Sequence, residues 1–376
     1  MRTADSLTTP LASRIAQAVQ AAGGWLGFDE FMNLALYTPG LGYYANDLRK
    51  LGLMPGSGSD FVTAPELSPL FGRALATQVQ QALQATQTRE VWEFGAGSGA
   101  LALQLLDALG DAIQRYTIVD LSGALRARQQ QTLADYGDRV RWLSTWPDEI
   151  QGVVIGNEVL DAMPVKLLAR IEGVWHERGV TLEAGQEQSD QAESPDAPKF
   201  VWQDRPTDLR PPISIEAAHD YLTEIHPMAE AFVRTLADKL KQGAAFFIDY
   251  GFAEREYYHA QRHMGTLICH RAHRTDSNPL CDLGLKDISA HINFTGIAVA
   301  AQAGGLEVLG YCSQGRFLLN CGLAQLMAQA DLTVRAQAHK LVAEHEMGEL
   351  FKVIGLCTAP LWPCLGFALG DRTHTL

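Results

Sequence analysis

Residues Glu90 to Leu105 read EVWEFGAGSGALALQL. The run Val91-Trp92, then Phe94, is the pattern of a buried strand. The chain then turns through Gly95-Ala96-Gly97-Ser98-Gly99 and continues with Leu101, Leu105, Leu106 and Leu109 at the spacing of one helical face. Strand, glycine turn and helix open a nucleotide-binding α/β unit. Glycine permits the tight turn and lets a ligand approach the backbone. The helix N-terminus offers free N–H groups to a polar or anionic group.

Two nucleotide classes fit the turn. Gly95, Gly97 and Ala100 match the dinucleotide pattern G-x-G-x-x-A. Gly95, Gly97 and Gly99 match the G-x-G-x-G turn that binds S-adenosylmethionine. The next strand, Tyr116-Thr-Ile-Val-Asp120, ends in an acid suited to a ribose diol in both, so Asp120 does not discriminate. Glu93 does so in part. A carboxylate at the strand end favours a ligand carrying a sulfonium and an ammonium and repels a pyrophosphate.

The chain has 376 residues, enough for a core with added segments, and 47% are hydrophobic. Its net charge of −13 argues against a broad nucleic-acid surface. No apolar run reaches membrane-spanning length, and the N-terminus has no clear export pattern. The six cysteines contain no C-x-x-C pair and read as reduced, buried thiols of a cytoplasmic protein. Histidines 259, 263, 270, 273 and 291 lack metal-ligand spacing and alternate with arginines, so no metal site is expected.

Organisation follows from the alternation of strands and helices. Strands at 91–94, 116–120, 140–143, 152–156 and 244–249, with helices at 99–109 and 122–135, predict an α/β fold with a doubly wound, mostly parallel, Rossmann-like sheet. Residues 1–85 read as a helical N-terminal lid, 86–322 as the core, and 323–376 as a C-terminal helical segment. Thr63 and Ser68 are candidate helix N-caps. Tyr43 and Tyr44 read as loop packing or as a lid over the cofactor, with composition favouring packing. The core is interrupted at 167–202, with a hairpin around Ile171–Trp175 and a polar loop at 184–199, and again at 252–305. Leu306–Tyr311 and Arg316–Leu319, flanking Cys312-Ser-Gln-Gly315, read as a terminal hairpin on the sheet edge.

The strand at Gly152 runs into Gly156-Asn157-Glu158-Val-Leu-Asp161-Ala-Met-Pro164. Ligands of doubly wound sheets bind outside the carboxyl ends of the strands. Asn157, Glu158 and Asp161 are therefore expected beside the cofactor, where an amide and two carboxylates suit a cationic or amine acceptor.

Stretches in order along nearly the whole chain resemble the MidA family of class I S-adenosylmethionine-dependent methyltransferases. They include Tyr37-Thr-Pro-Gly-Leu-Gly-Tyr-Tyr44, Asp60-Phe-Val-Thr-Ala-Pro-Glu-Leu-Ser68, Glu93–Gly99, Asn157–Pro164, Ile248-Asp-Tyr-Gly251, Asp287–Phe294, Gln314-Gly-Arg-Phe317 and Met347–Lys352. Asp120 stands where that family commonly has Glu, Gly156 where it has Ala, and Val159 where it has Phe. The resemblance implies S-adenosyl-L-methionine as cofactor and methyl transfer to an arginine nitrogen of a protein, with a subunit of respiratory complex I as the acceptor by analogy. It implies Glu158, Asp161 and Asn157 on the acceptor side. Glu93, Gly95, Ala96, Gly97, Gly99, Asp120, Leu121 and Asn157 would hold the cofactor, and Thr63 and Glu66 would close the site. A bacterial chain would act in the cytoplasm and a eukaryotic one in the mitochondrion, as monomer or homodimer. Two alternatives stay open: an assembly factor that binds the cofactor without turnover, and an NAD-linked oxidoreductase.

Overall fold

The computed structural model describes residues 5–46, 62–183 and 198–376. The stretch Pro55-Gly-Ser-Gly-Ser-Asp60, whose composition reads as a loop, and most of the polar stretch at 184–199 lie outside the described residues. The chain forms two compact units. One comprises Met1–Arg49, Ala162–Met228 and Arg255–Ala290; the other comprises Lys50–Asp161, Ala229–Glu254 and His291–Leu376. This differs from a contiguous 1–85 cap. The helix Leu70–Thr86, here α1, belongs to the second unit and packs Leu75, Val79 and Leu83 into that unit's core.

The second unit is built on strands β1 (Glu90–Phe94), β2 (Arg115–Val119), β3 (Val140–Leu143), β4 (Ile150–Asn157), β5 (Leu240–Phe252), β6 (Glu307–Ser313) and β7 (Phe351–Cys357). Their order is β3-β2-β1-β4-β5-β7-β6. The first five run parallel, and β7 lies antiparallel to both β5 and β6. The order reverses between β1 and β4, the switch point at which ligands bind in open α/β sheets.

Period-2 alternation distributes the side chains to two covered faces. Val91, Ile118, Val153, Ile155 and Phe246 meet α1 and α2 (Ala100–Leu109) in one core. On the opposite face Phe94 packs against Trp146 and Phe232, with ring centroids 4.8 and 5.2 Å away, and Phe232 reaches Phe247 at 6.0 Å. A sheet buried on both sides explains the near-continuous apolar strands.

Three expectations for the end of the chain need correction. The terminal hairpin does not form: after β6 the chain enters a helix, Gln314–Asn320, that buries Phe317 and Leu318. The true partner of β6 is β7, from a stretch read as helical. Every residue of β7 is buried, so the sequence shows an apolar run without period, ambiguous between helix and strand. Cys281 is exposed, unlike the other five cysteines.

The first unit carries an antiparallel sheet of Leu26–Gly27, Lys166–Ile171, Val174–Leu182, Phe200–Pro206 and Tyr221–Ile225. The expected hairpin is present, with Ile171 opposite Val174 across Glu172-Gly173. Both turn residues have positive φ, as a two-residue hairpin turn requires. Tyr43 is buried edge-on against Tyr44, whose hydroxyl donates to Asp287 at 2.8 Å. Loop packing therefore describes these tyrosines. No helix among the described residues is long and apolar enough to cross a membrane.

Gly243 on β5 faces Gly152 on β4. A Cβ at Gly243, where φ is +152°, would lie 1.8 Å from the Gly152 carbonyl oxygen. Gly243→Ala is expected to lower unfolding free energy by roughly 2 kcal/mol or more through strain and overpacking. Urea denaturation checks this, and an unchanged midpoint contradicts it.

Candidate active site

Strand β1 ends at the glycine turn, where Gly95, Gly97 and Gly99 have φ of +65°, +53° and +85°. A Cβ on Gly95 would also meet Val159 Cγ2 at 2.5 Å, so both conformation and space demand glycine. The turn delivers the chain to the N-terminus of α2.

A small cavity of about 40 Å³ lies in this turn, lined by Thr63, Pro65, Glu93, Gly95, Ala96, Gly97, Ser98 and Asn157 among others. Alternation explains two of these. Glu93 follows Val91, and Asn157 follows Ile155, onto the same face of the sheet. Glu93 is buried and accepts a 2.6 Å hydrogen bond from the Tyr116 hydroxyl. Burial pushes its carboxyl up to about 7, against the lowering effect of that hydrogen bond and with a further push from Asp120. Asn157 Nδ2 donates to Glu158 Oε1 at 3.1 Å. Asn157 Oδ1 is buried and has no hydrogen-bond partner among the described residues.

The remaining cofactor candidates surround this cavity without all lining it. Asp120, just after β2, accepts from Ser122 N at 2.9 Å and from Gln129 Nε2 at 2.8 Å. Leu121 beside it is exposed. Gly99 starts α2 from behind the turn. Glu66 accepts from the Ser98 hydroxyl and has Arg128 4.0 Å away. Thr63 precedes the short helix Ala64–Leu67 without capping it by its side chain, whereas Ser68 Oγ accepts from Leu70 N. Gln104 of α2 ties this segment down by donating to the Pro65 carbonyl at 2.8 Å.

Glu158 and Asp161 lie in the turn that follows β4. Glu158 has φ +53°, a left-handed conformation unusual for a non-glycine residue. Its N–H donates to the Ile248 carbonyl at 2.9 Å. Asp161 is buried.

Two residues of this region escape a reading by local pattern. Gln129 is fully buried; besides Asp120 it donates to the Gly97 carbonyl at 3.0 Å and accepts from Trp142 Nε1 at 3.1 Å. Asp249, at the end of β5, accepts three loop N–H groups on one oxygen: Val159 at 3.2 Å, Leu160 at 2.8 Å and Asp161 at 3.3 Å. Burial raises its carboxyl to about 7 despite these bonds. Two signals pointed to Asp249: an acid closing the apolar run Ala244–Ile248, and its place in the family-like stretch Ile248-Asp-Tyr-Gly251. No group of three or more His, Cys, Asp or Glu among the described residues is placed to hold a metal.

The cavity lining thus includes the Glu93 carboxyl and Asn157, whose Oδ1 has no partner among the described residues. A ligand that donates hydrogen bonds and carries positive charge suits this pair. The ammonium-bearing cofactor fits this set, whereas a pyrophosphate does not.

Residues 70–312 match a family of S-adenosyl-L-methionine-dependent methyltransferases, and the chain belongs to that family. Among solved structures, it is 47% identical to a Burkholderia thailandensis protein with S-adenosyl-homocysteine bound. That match covers 99% of this chain and 98% of the other, with a TM-score of 0.92. The zebrafish (Danio rerio) mitochondrial protein arginine methyltransferase NDUFAF7 is 26% identical, over 93% of this chain and 87% of its own. The human protein of that name is 25% identical over 85% and 75%. S-adenosyl-L-methionine is therefore the cofactor, and its methyl group is the one transferred.

A cation draws the Glu93 carboxyl into its charged form, and below pH ~7 that requires losing a proton. Calorimetry of S-adenosylmethionine binding at pH 6, in buffers of different ionisation enthalpy, is expected to show about one proton released that is absent in Glu93→Gln. Affinity should weaken as pH falls below 7 in the parent only. Equal proton release by both proteins contradicts the assignment.

Proposed function

We propose that the chain is a protein arginine N-methyltransferase. The observation that carries this reading is the left-handed Glu158, hydrogen-bonded to the cofactor-cavity residue Asn157 and followed by the buried acid Asp161. The name of the NDUFAF7 relatives supports the choice of acceptor.

The cofactor supplies an electrophilic methyl group on a sulfonium. The protein must present a nitrogen to it. A guanidinium is a poor nucleophile because its nitrogens share one charge and its pKa exceeds ~12. Glu158, with Asp161 second, holds the guanidinium in fork geometry, concentrates its charge on the bound nitrogens and takes up the proton released as the new N–C bond forms. Asn157 orients Glu158 through its Nδ2 and offers Oδ1 to the cofactor. Glu93, Gly95, Ala96, Gly97 and Gly99 line or shape the cofactor turn. Asp120 and Leu121 take the ribose end, and Thr63 and Glu66 close the turn from the other side. Positioning of this kind contributes up to roughly 7–11 kcal/mol in well-oriented reactions.

The finer reading, by family analogy, is an arginine of a respiratory complex I subunit. The compartment that goes with it is the cytoplasm of a bacterium or the mitochondrion of a eukaryote.

Glu158→Gln is expected to bind S-adenosyl-homocysteine like the parent and to lose methyl transfer by about 100-fold or more. The assay follows isotopically labelled methyl into methylarginine of acid-hydrolysed acceptor protein. Unchanged turnover removes Glu158 from the mechanism, and label recovered on another residue type overturns the arginine reading.

A further inference from the structure

We infer that Asp249 is a positioning residue that sets the conformation of the acceptor loop and acts on the acceptor only through Glu158; this rests on the reading of Glu158 as the acceptor clamp.

The pairing of β4 with β5 ends at Asn157 opposite Ile248. Glu158 then makes a last sheet-like bond to the Ile248 carbonyl and turns left-handed. That single backbone rotation points the next three N–H groups at one atom, Asp249 Oδ2. The other oxygen, Oδ1, accepts from Tyr250 N at 2.9 Å. The carboxylate therefore gathers four backbone donors.

Lys352 of β7 sits opposite Asp249 in the strand register, yet its ammonium turns to the carbonyl of Glu349. Among the described residues no lysine or arginine forms an ion pair with Asp249. Its charge is balanced by loop dipoles, and the loop's unfavourable φ is balanced by its charge. Neither arrangement is stable without the other.

The side chain has a narrow reach. The strand pairs β4–β5 and β5–β7 use backbone atoms of this region and do not use the Asp249 carboxylate. Three of its four donors belong to the loop. An amide in its place keeps one neutral acceptor and loses the charge, and its NH₂ must face either the loop N–H groups or Tyr250 N. Such a change releases the loop and leaves the sheet.

Amide hydrogen exchange on the intact protein tests this without any methyl acceptor. In Asp249→Asn, peptides covering 158–162 are expected to exchange faster by about tenfold or more, with those of β1 and β7 unchanged. S-adenosyl-homocysteine affinity should stay within about threefold. Asp249→Ser, whose hydroxyl is one bond too short to reach the loop donors, should raise the exchange at least as much. In the methylation assay, adding Asp249→Asn to Glu158→Gln should deepen the loss in kcat/KM by less than about threefold. Unchanged loop exchange overturns the proposal, as do fully multiplicative losses in the double variant. Unfolding of both Asp249 variants also overturns it, because the side chain would then support the sheet itself. Absence of arginine methylation by the parent protein, with the exchange result intact, would count against the arginine reading alone.

Discussion

Two buried carboxylates that no lysine or arginine of the described residues pairs with set the terms for this site. Glu93 closes β1 and Asp249 lies near the end of β5, on the two strands that flank β4. An ionised carboxylate in such surroundings carries a large desolvation cost unless donors surround it. Asp249 meets the cost with four backbone N–H groups, and Glu93 with one tyrosine hydroxyl. Both are left with carboxyls near neutrality. Raised carboxyls at the strand ends of an open sheet, with Glu93 at its switch point, are candidates for a functional site.

The two acids divide the work by face. Alternation sends Glu93 and Asn157 toward the α1/α2 side, where the glycine turn lies. It sends Phe247 and Asp249 to the opposite side, where the Glu158 loop is gathered. One strand end therefore separates the glycine-turn cavity from the Glu158 loop, and Asn157 lines the cavity while its Nδ2 donates to Glu158. The arrangement suits a reaction in which a methyl group passes in line between two bound molecules.

Much of this was legible in the sequence because it is local. The strand–turn–helix at Glu90–Leu109, the hairpin at Glu172-Gly173 and the acids at 93, 120, 158 and 161 each declare themselves within a few residues. What escaped depends on distant partners. Phe351–Cys357 has no period because it is buried on both faces between β5 and β6, so nothing local separates strand from helix. The hairpin expected after Cys312 failed because the partner of β6 lies about forty residues onward. The contacts of Asp249 and Gln129 likewise cannot be read locally: they exist only once folding brings the Val159–Asp161 amides, or Asp120 and Gly97, against them.

The central claim is that the acceptor loop and the cofactor's reactive end share one site. A crystal structure of this chain with S-adenosyl-homocysteine tests it most directly. The account predicts the sulfur facing the Glu158–Asp161 loop, the ammonium on Glu93 or Asn157 Oδ1, and the ribose on Asp120. A sulfur directed away from that loop, with Glu158 turned to solvent, would contradict it.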